Sequence, residues 1–136
     1  MERKKVIPRG IRNNNPLNIR IGNTWLGEVS NPSDPSFEQF VSMVYGARAA
    51  FVLFRRYIRH YHRDTVAQII TAWAPSSENQ TQKYIDTVCG LMDISPDTIV
   101  QFEDRETMVA LFQAMCVVEN GQRVPDDVVL KGYNAA

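Results

Sequence analysis

The spacing of the apolar residues changes at residue 43, and this change limits the folds open to the chain. Beyond it, apolar side chains recur at steps of three and four residues: Val44, Ala47, Phe51, Phe54 and Ile58. This spacing predicts an amphipathic helix of about five turns. The first forty residues are instead rich in Pro, Gly and Asn, with apolar alternation at 17–21 and 37–41. They predict an ordered loop region with two or three brief strands.

Capping signals divide the rest of the chain into further helices. Asp64 is placed to cap a second helix, which Pro75 ends. Ser77 and Gln80 fit a capping box at the start of a third helix. Ser95-Pro96 has the form of an N-cap followed by proline at the first helical position. Together these patterns predict a single, mostly helical α+β domain over residues 1–136, with loops and short strands at 1–42 and helices at 43–136.

The last long helix is predicted to carry a carboxyl group on its buried face. Asp104 precedes the apolar segment Thr107–Glu119, and Asn120-Gly121 ends it. Four apolar residues form one stripe on this helix: Met108, Leu111, Phe112 and Met115. Glu119 continues that stripe, so burial and the negative end of the helix dipole both raise its pKa. A carboxylic acid that stays protonated near neutral pH is suited to general acid catalysis. A frayed helix end that leaves Glu119 in water is the structural alternative.

The composition excludes disordered, collagen-like and disulfide-scaffold proteins. The 136 residues have a formal net charge of zero, 44% hydrophobic and 22% charged residues, as in globular domains. Residues 1–63 hold eleven basic and four acidic side chains, and residues 64–136 hold the reverse. This asymmetry suits either two solvated faces that neutralise each other or a positive surface for an anionic polymer. No signal peptide and no stretch long enough to span a bilayer is present in the sequence, so we expect synthesis as a soluble cytoplasmic product.

Metal and cofactor sites are not expected. Cys89 and Cys116 lack the spacing of a zinc site and are expected to fill the core. His60 and His62 are two residues apart, so on a helix they would point to different sides. Segment 55–63 alternates cations with aromatic residues, which suits phosphate binding and base stacking. A small nucleic-acid-binding protein that uses helix 55–63 is therefore one hypothesis for the chain. It is the least favoured one, because the sequence has no known nucleic-acid-binding motif.

Several short motifs resemble those of enzymes that cleave the bacterial cell wall. Val118-Glu119-Asn120-Gly121 is similar to the catalytic segment of lysozyme-like muramidases and lytic transglycosylases. Segments 14–20, 25–27 and 37–40 resemble the substrate-cleft block of bacterial glucosaminidases. Segment 73–84 resembles the tyrosine-bearing segment that faces the catalytic glutamate. Segments 9–16, 73–79 and 119–121 together resemble a small phage-associated family of lysozyme-like virion and lysis proteins.

The resemblance implies a lysozyme-like fold in an unusual order. In the usual lysozyme-like enzymes the glutamate helix precedes the cleft block, whereas here it follows, so we interpret the chain as circularly permuted. Such a rearrangement is tolerated when the termini lie close together at the surface. Leu17 also stands where the phage-like pattern has glycine.

The resemblance also implies an activity: cleavage of the peptidoglycan glycan strand between N-acetylmuramic acid and N-acetylglucosamine, without a cofactor or metal. Glu119 would be the general acid. A transglycosylase needs only this carboxylate, whereas a hydrolase normally needs a second one, for which Glu78 and Glu28 are candidates. Tyr84 is a candidate for orienting the substrate. The predicted substrate-binding residues share amide, guanidinium or aromatic groups that suit sugars: Asn14, Asn15, Asn18, Arg20, Trp25 and Asn79.

Other roles remain open for these residues. Asparagine also favours turns, so at least one of the three asparagines at 14, 15 and 18 is expected to serve only the backbone. Trp73 is more simply a core residue, and Glu78 an early-turn acid favoured by the helix dipole. The main alternative function is a catalytically silent phage structural or wall-binding protein. An enzyme of this kind would act at the periplasmic or extracellular wall, delivered by a holin, a virion or a secretion system.

Overall fold

A computed structural model of the protein describes residues 6–74 and 77–136, apart from the side chains of Glu78 and Asn79. The described residues form helices around one apolar core: α1 (Arg9–Arg12), α2 (Met43–Arg59), α3 (Val66–Trp73), α4 (Glu78–Met92), α5 (Arg105–Asn120) and α6 (Asp126–Ala135). The expectation of a mostly helical fold is confirmed. Within the described ranges, every helix is too short or too polar to cross a bilayer.

Helix α2 lies at the centre of the core. Its residue Phe51 stacks on Phe112 of α5, with 5.1 Å between the ring centroids, and meets Tyr133 of α6 edge-on at 5.3 Å. Phe54, one turn later, lies 5.3 Å from the ring of Trp73 in α3. The apolar spacing of α2 therefore brings α3, α5 and α6 to one helix, and the aromatic rings add packing energy of about 0.5–1.5 kcal/mol per pair beyond burial alone.

The start of α2 also holds the N-terminal loop. Ser42 caps the helix, and its side chain accepts a hydrogen bond from the amide of Tyr45. Gly46 follows in the first turn, where a Cβ atom would lie 1.8 Å from the carbonyl oxygen of Asn14. Only glycine lets the loop backbone approach the helix this closely.

The N-terminal region has less strand structure than expected. Pairing between residues 6 and 41 is limited to isolated antiparallel bridges, Arg20 with Phe37 and Glu28 with Phe40. Scattered backbone bonds such as that from the amide of Glu38 to the carbonyl of Ile19 add to these bridges. Side chains contribute as well: the Asp34 carboxylate accepts from the amides of Ser36 and Phe37. The frequent Pro, Gly and Asn residues favour such turns over continuous ladders.

Asp34 connects this region to α1. It accepts two hydrogen bonds from the guanidinium of Arg9, at 2.6 and 2.7 Å, and one from Asn13. The guanidinium holds the pKa of Asp34 well below its usual range. Asp34 therefore stays ionised and fixes the short helix α1 against the loops.

Three local predictions need correction. Thr65, not Asp64, caps α3, because its hydroxyl and the Gln68 side chain form the reciprocal capping box. Ser95-Pro96 begins no helix: the amide of Thr98 bonds to the carbonyl of Ser95, which closes a turn instead.

The third correction concerns the arginine-rich segment 55–63, which is only partly helical. Helix α2 ends at Arg59, and His62 lies in the left-handed region with φ 53°. The argument that His60 and His62 point to different sides of a helix therefore does not hold.

Other helices agree with the sequence or add to it. Asp104 caps α5, its four stripe residues are fully buried, and Gly121 ends the helix with φ 70°. Cys89 and Cys116 are buried free thiols, as expected for core residues. The sequence patterns do not predict helices α1 and α6. Helix α6 packs extensively against α2.

Replacement of Gly46 by alanine is expected to lower the free energy of unfolding by about 2–3 kcal/mol, because the new methyl group displaces the Asn14 backbone. Gly90→Ala is the matched control. Gly90 is also helical, but nothing lies within 4 Å of its added Cβ, so this change should stabilise the protein by about 0.5–1 kcal/mol. Urea unfolding of both variants checks the pair, and equal effects would contradict the close approach.

Candidate functional site

Glu119 lies in the last turn of α5, where the N-terminal loop docks on the helix. Its neighbour Asn120 is buried and donates from Nδ2 to the carbonyl oxygen of Pro16 at 2.6 Å. Gly10 of α1 lies beneath this contact, since a Cβ there would come within 2.5 Å of Asn120 Oδ1. The helix end and the loop are thus held against each other around the Glu119 side chain.

Asn18 donates to the carboxylate from the loop. Its Nδ2 lies 2.8 Å from Glu119 Oε1. Asn18 has φ 53°, and Asn14 has the same left-handed conformation, which asparagine tolerates better than most residues. Leu17 is fully buried and outside the left-handed region, so the turn forms although leucine replaces the expected glycine.

Tyr84 donates to the other carboxylate oxygen from α4. Its hydroxyl lies 2.8 Å from Glu119 Oε2, and the residue is 8% exposed. Burial raises the pKa of Tyr84 far above its usual value, and the charge of Glu119 adds to the effect. The phenol therefore remains a hydrogen-bond donor. The three predicted residues Glu119, Tyr84 and Asn18 come from distant parts of the chain and meet here.

Opposing effects set the acidity of Glu119. Burial raises its pKa above the usual value, as predicted from its position on the apolar face. The hydrogen bonds from Asn18 and Tyr84 and the charge of Arg20 favour the ionised form and offset part of this increase. The group is thus a weakened acid held in a defined orientation, which is what proton donation to a substrate requires.

A cleft of about 330 Å³ lies beside the Asn18 side chain. It is lined by mostly polar residues of the loop and by residues of α2 and α3: Asn18, Ile19, Arg20, Asn23, Leu53, Tyr57, Ala72 and Trp73. Trp73 also packs in the core and donates from Nε1 to the carbonyl of Leu17 at 2.8 Å. The cleft combines aromatic surface with amide groups, a lining that suits a sugar.

The other predicted asparagines shape the loop. Asn15 is fully buried, and its amide bonds to the backbone of Ile19 and Glu38. The interpretation of Asn15 as a sugar ligand therefore gives way to a scaffold role. Asn14 donates to the carbonyl of Phe40 at 3.1 Å and is partly exposed.

Trp25 is placed in the core of the N-terminal region. It is 6% exposed, and the guanidinium of Arg56 lies 5.3 Å above its ring. Little of the aromatic face is left for a sugar, so Trp25 has a packing role and not the predicted role of stacking on a sugar.

Glu28 forms a carboxyl pair that sequence reasoning missed. It accepts from the amide of Trp25 at 2.9 Å and faces Glu38, which is 8% exposed. Burial and the neighbouring Glu28 carboxyl group raise the pKa of Glu38 to about 7. Glu38 is two residues before Phe40, so both side chains point to the same, inward side of the extended segment 37–40. This spacing was the sequence signal that could have predicted the burial of Glu38. The role of Glu28 as a second catalytic carboxylate stays a prediction.

The structure describes only the backbone of two predicted site residues. The backbone of Glu78 and Asn79 belongs to α4, but their side chains are outside the described part of the structure. Among the residues that are described, no group of three or more His, Cys, Asp or Glu side chains could hold a metal ion.

The chain is similar to a phage protein. The chain is 38% identical over 130 residues to "Protein P5" of Pseudoalteromonas phage PM2, which covers 92% of this chain and 79% of the phage protein. No family model matches the chain.

Tyr84→Phe is expected to raise the pKa of Glu119, because the lost hydrogen bond favours the ionised carboxylate. The change is measured by NMR titration of the side-chain carboxyl, with Glu119→Gln to assign the signal. Tyr133→Phe is the control: it removes a phenol that donates to the carbonyl of Phe102 instead. An unchanged or lower pKa in Tyr84→Phe would show that this bond does not stabilise the anion.

Glu38→Gln is expected to change how stability depends on pH. The folded pKa of about 7 exceeds the ordinary value of 4.5, so the native protein binds more protons than the unfolded chain between these values. The contribution of Glu38 to the free energy of unfolding of the wild type should therefore be largest below about pH 4.5 and should fall as the pH rises to 7. The variant should lack this decline and exceed wild type at pH 8 by about 1–2 kcal/mol, allowing for solvent screening.

Urea unfolding from pH 4.5 to 8 measures the difference. Glu106→Gln, an exposed site on α5, should leave the wild-type profile unchanged. Parallel profiles for wild type and Glu38→Gln would place the Glu38 pKa at its ordinary value in the folded state.

Proposed function

The chain belongs to the family of "Protein P5" of Pseudoalteromonas phage PM2, and we propose that it is a lysozyme-like enzyme that cleaves the glycan strand of peptidoglycan. The bond cleaved joins N-acetylmuramic acid to N-acetylglucosamine. Glu119 is the general acid. The phage origin of the relative supports a phage setting for this chain, and the name of the relative says nothing about activity.

The observation that carries the proposal is the environment of Glu119. The carboxyl is desolvated enough to raise its pKa, yet both oxygens are oriented by donors, Asn18 Nδ2 and Tyr84 Oη, at 2.8 Å each. A structural ion pair would place a cation on the carboxylate, whereas these donors are neutral. Neutral donors permit the group to lose and regain a proton without leaving an unpaired cation in the site.

Glu119 can act first as an acid and then as a base. It gives its proton to the glycosidic oxygen while the bond from that oxygen to C1 of muramic acid breaks. Asn18 and Tyr84 then stabilise the resulting carboxylate. In a transglycosylase, the carboxylate takes the proton of the muramic acid C6 hydroxyl as O6 bonds to C1, which closes the anhydro ring and restores the acid.

In a hydrolase, water would supply the new bond to C1 instead. This route calls for a second carboxylate at roughly 5–9.5 Å across the bond. Glu28 and Glu78 remain the proposed candidates. The residues Asn18, Arg20 and Trp73 line the adjacent cleft and would contact the sugars, while no cofactor takes part in either route.

Glu119→Gln is expected to reduce cleavage of purified peptidoglycan by about 100-fold or more, because the amide keeps the shape but cannot donate the proton. Released fragments are identified by mass spectrometry. Glu106→Gln, at the exposed first turn of the same helix, should retain wild-type activity.

The products separate the two chemistries. Anhydro-muramic ends from wild type alone indicate a transglycosylase that acts through Glu119, and reducing ends indicate a hydrolase. Equal activity in wild type and Glu119→Gln would remove Glu119 from the mechanism. A wild-type protein that sediments with the wall but releases nothing would favour a catalytically silent wall-binding protein.

A further inference from the structure

Arg20 is a cation of the cleft with no ion-pair partner among the described residues. It lines the cleft beside Asn18, and the ion pairs within the described ranges involve other basic residues. The residue is exposed, and its backbone is fixed by the bridge to Phe37. Its guanidinium is therefore free to accept an anionic ligand in the cleft.

The guanidinium is also held in place. Its central carbon lies 4.8 Å above the ring of Phe37, and Arg9 stacks on the same ring at 4.5 Å. Arg9 is bound to Asp34, so its charge is already neutralised while that of Arg20 is not. Stacking uses the face of a guanidinium and leaves the N–H groups at its edge available, so less side-chain entropy is lost when a ligand binds.

A carboxylate is the ligand that best fits these observations. A guanidinium presents parallel N–H groups that match the two oxygens of a carboxylate. The remaining cleft lining, Asn23, Tyr57 and Trp73, offers amide and aromatic groups for uncharged sugar. The cleft thus combines a sugar-binding surface with one site for negative charge.

We propose that Arg20 binds a carboxylate of the glycan substrate and selects strands that carry one over neutral glycans such as chitin. Within peptidoglycan, this group is either the lactyl carboxylate of muramic acid freed of its peptide or a carboxylate of the attached peptide. The identity of the glycan rests on the proposed function, whereas the selection of charge rests on the cleft itself.

Binding at Arg20 has a consequence for the acid. The positive charge of Arg20 favours ionised Glu119 in the empty cleft. A bound carboxylate neutralises that charge and so favours the protonated form of Glu119. A substrate with the correct substituent would therefore increase the fraction of enzyme that is ready to donate a proton.

The test uses binding in the Glu119→Gln background, where neither turnover nor the charge of Glu119 interferes. Calorimetry measures the affinity for three tetrasaccharides: one from peptidoglycan with its peptides, the same after amidase treatment, and chitotetraose. Adding Arg20→Gln should weaken binding of a carboxylate-bearing ligand about tenfold or more and leave chitotetraose within about twofold. Arg20→Lys should retain part of the preference, because it keeps the charge but not the paired N–H groups.

The control is Arg12→Gln. Arg12 is also exposed but lies outside the residues that line the cleft, so it should leave all three affinities unchanged. A loss confined to the peptide-bearing ligand identifies a peptide carboxylate, and a loss with the amidase-treated ligand identifies the lactyl group. Equal losses for chitotetraose, or no loss for any ligand, would overturn the proposal.

Cleavage assays separate this inference from the proposed function. If the wild type fails to cleave peptidoglycan but Arg20 still determines the preference for charged glycan, the enzymatic proposal is overturned and the role of Arg20 is supported. If the wild type cleaves through Glu119 but shows no Arg20-dependent preference for charged glycan, the enzymatic proposal is supported and the proposed role of Arg20 is overturned.

Discussion

The candidate site depends on how one short loop is clamped between helices. The carbonyl of Pro16 is held by Asn120 of α5, and that of Leu17 by Trp73 of α3. Gly46 of α2 lets the Asn14 backbone approach. These contacts place Asn18 within hydrogen-bond distance of Glu119 at the end of α5. Because a buried polar group without a partner costs about 1–3 kcal/mol, loss of the clamp would affect the fold and the acid together.

The sequence was most informative where one physical effect dominated. The apolar stripe that ends at Glu119 predicts both the burial and the raised pKa of that residue, and the structure agrees with this prediction over the alternative of a frayed helix end. The same holds for α2, whose apolar side chains leave one face for the core. Tyr84 could be named only through the resemblance, because its spacing within α4 says nothing about which helix it faces.

Prediction failed where neighbouring residues offer similar chemistry or where burial opposes the usual preference. Asp64 and Thr65 can both cap a helix, and only the reciprocal contact with Gln68 distinguishes them. Asn15 and Asn18 suit turns and ligands equally, and their difference comes from packing in three dimensions. Glu38 was overlooked because a carboxyl is rarely buried beside another acid, although its parity with Phe40 placed it inward.

The hydrogen bond between Asn18 and Glu119 joins residues 101 positions apart, which bears on when the site can form during translation. A ribosome makes about 5–20 residues per second, so Asn18 emerges several seconds before its partner. Until α5 has left the exit tunnel, the loop lacks the contacts from Asn120 and the carboxylate. The nascent chain therefore cannot assemble the acid and its donors while the loop alone is outside the ribosome, and the site forms only after α5 has followed the loop out of the tunnel.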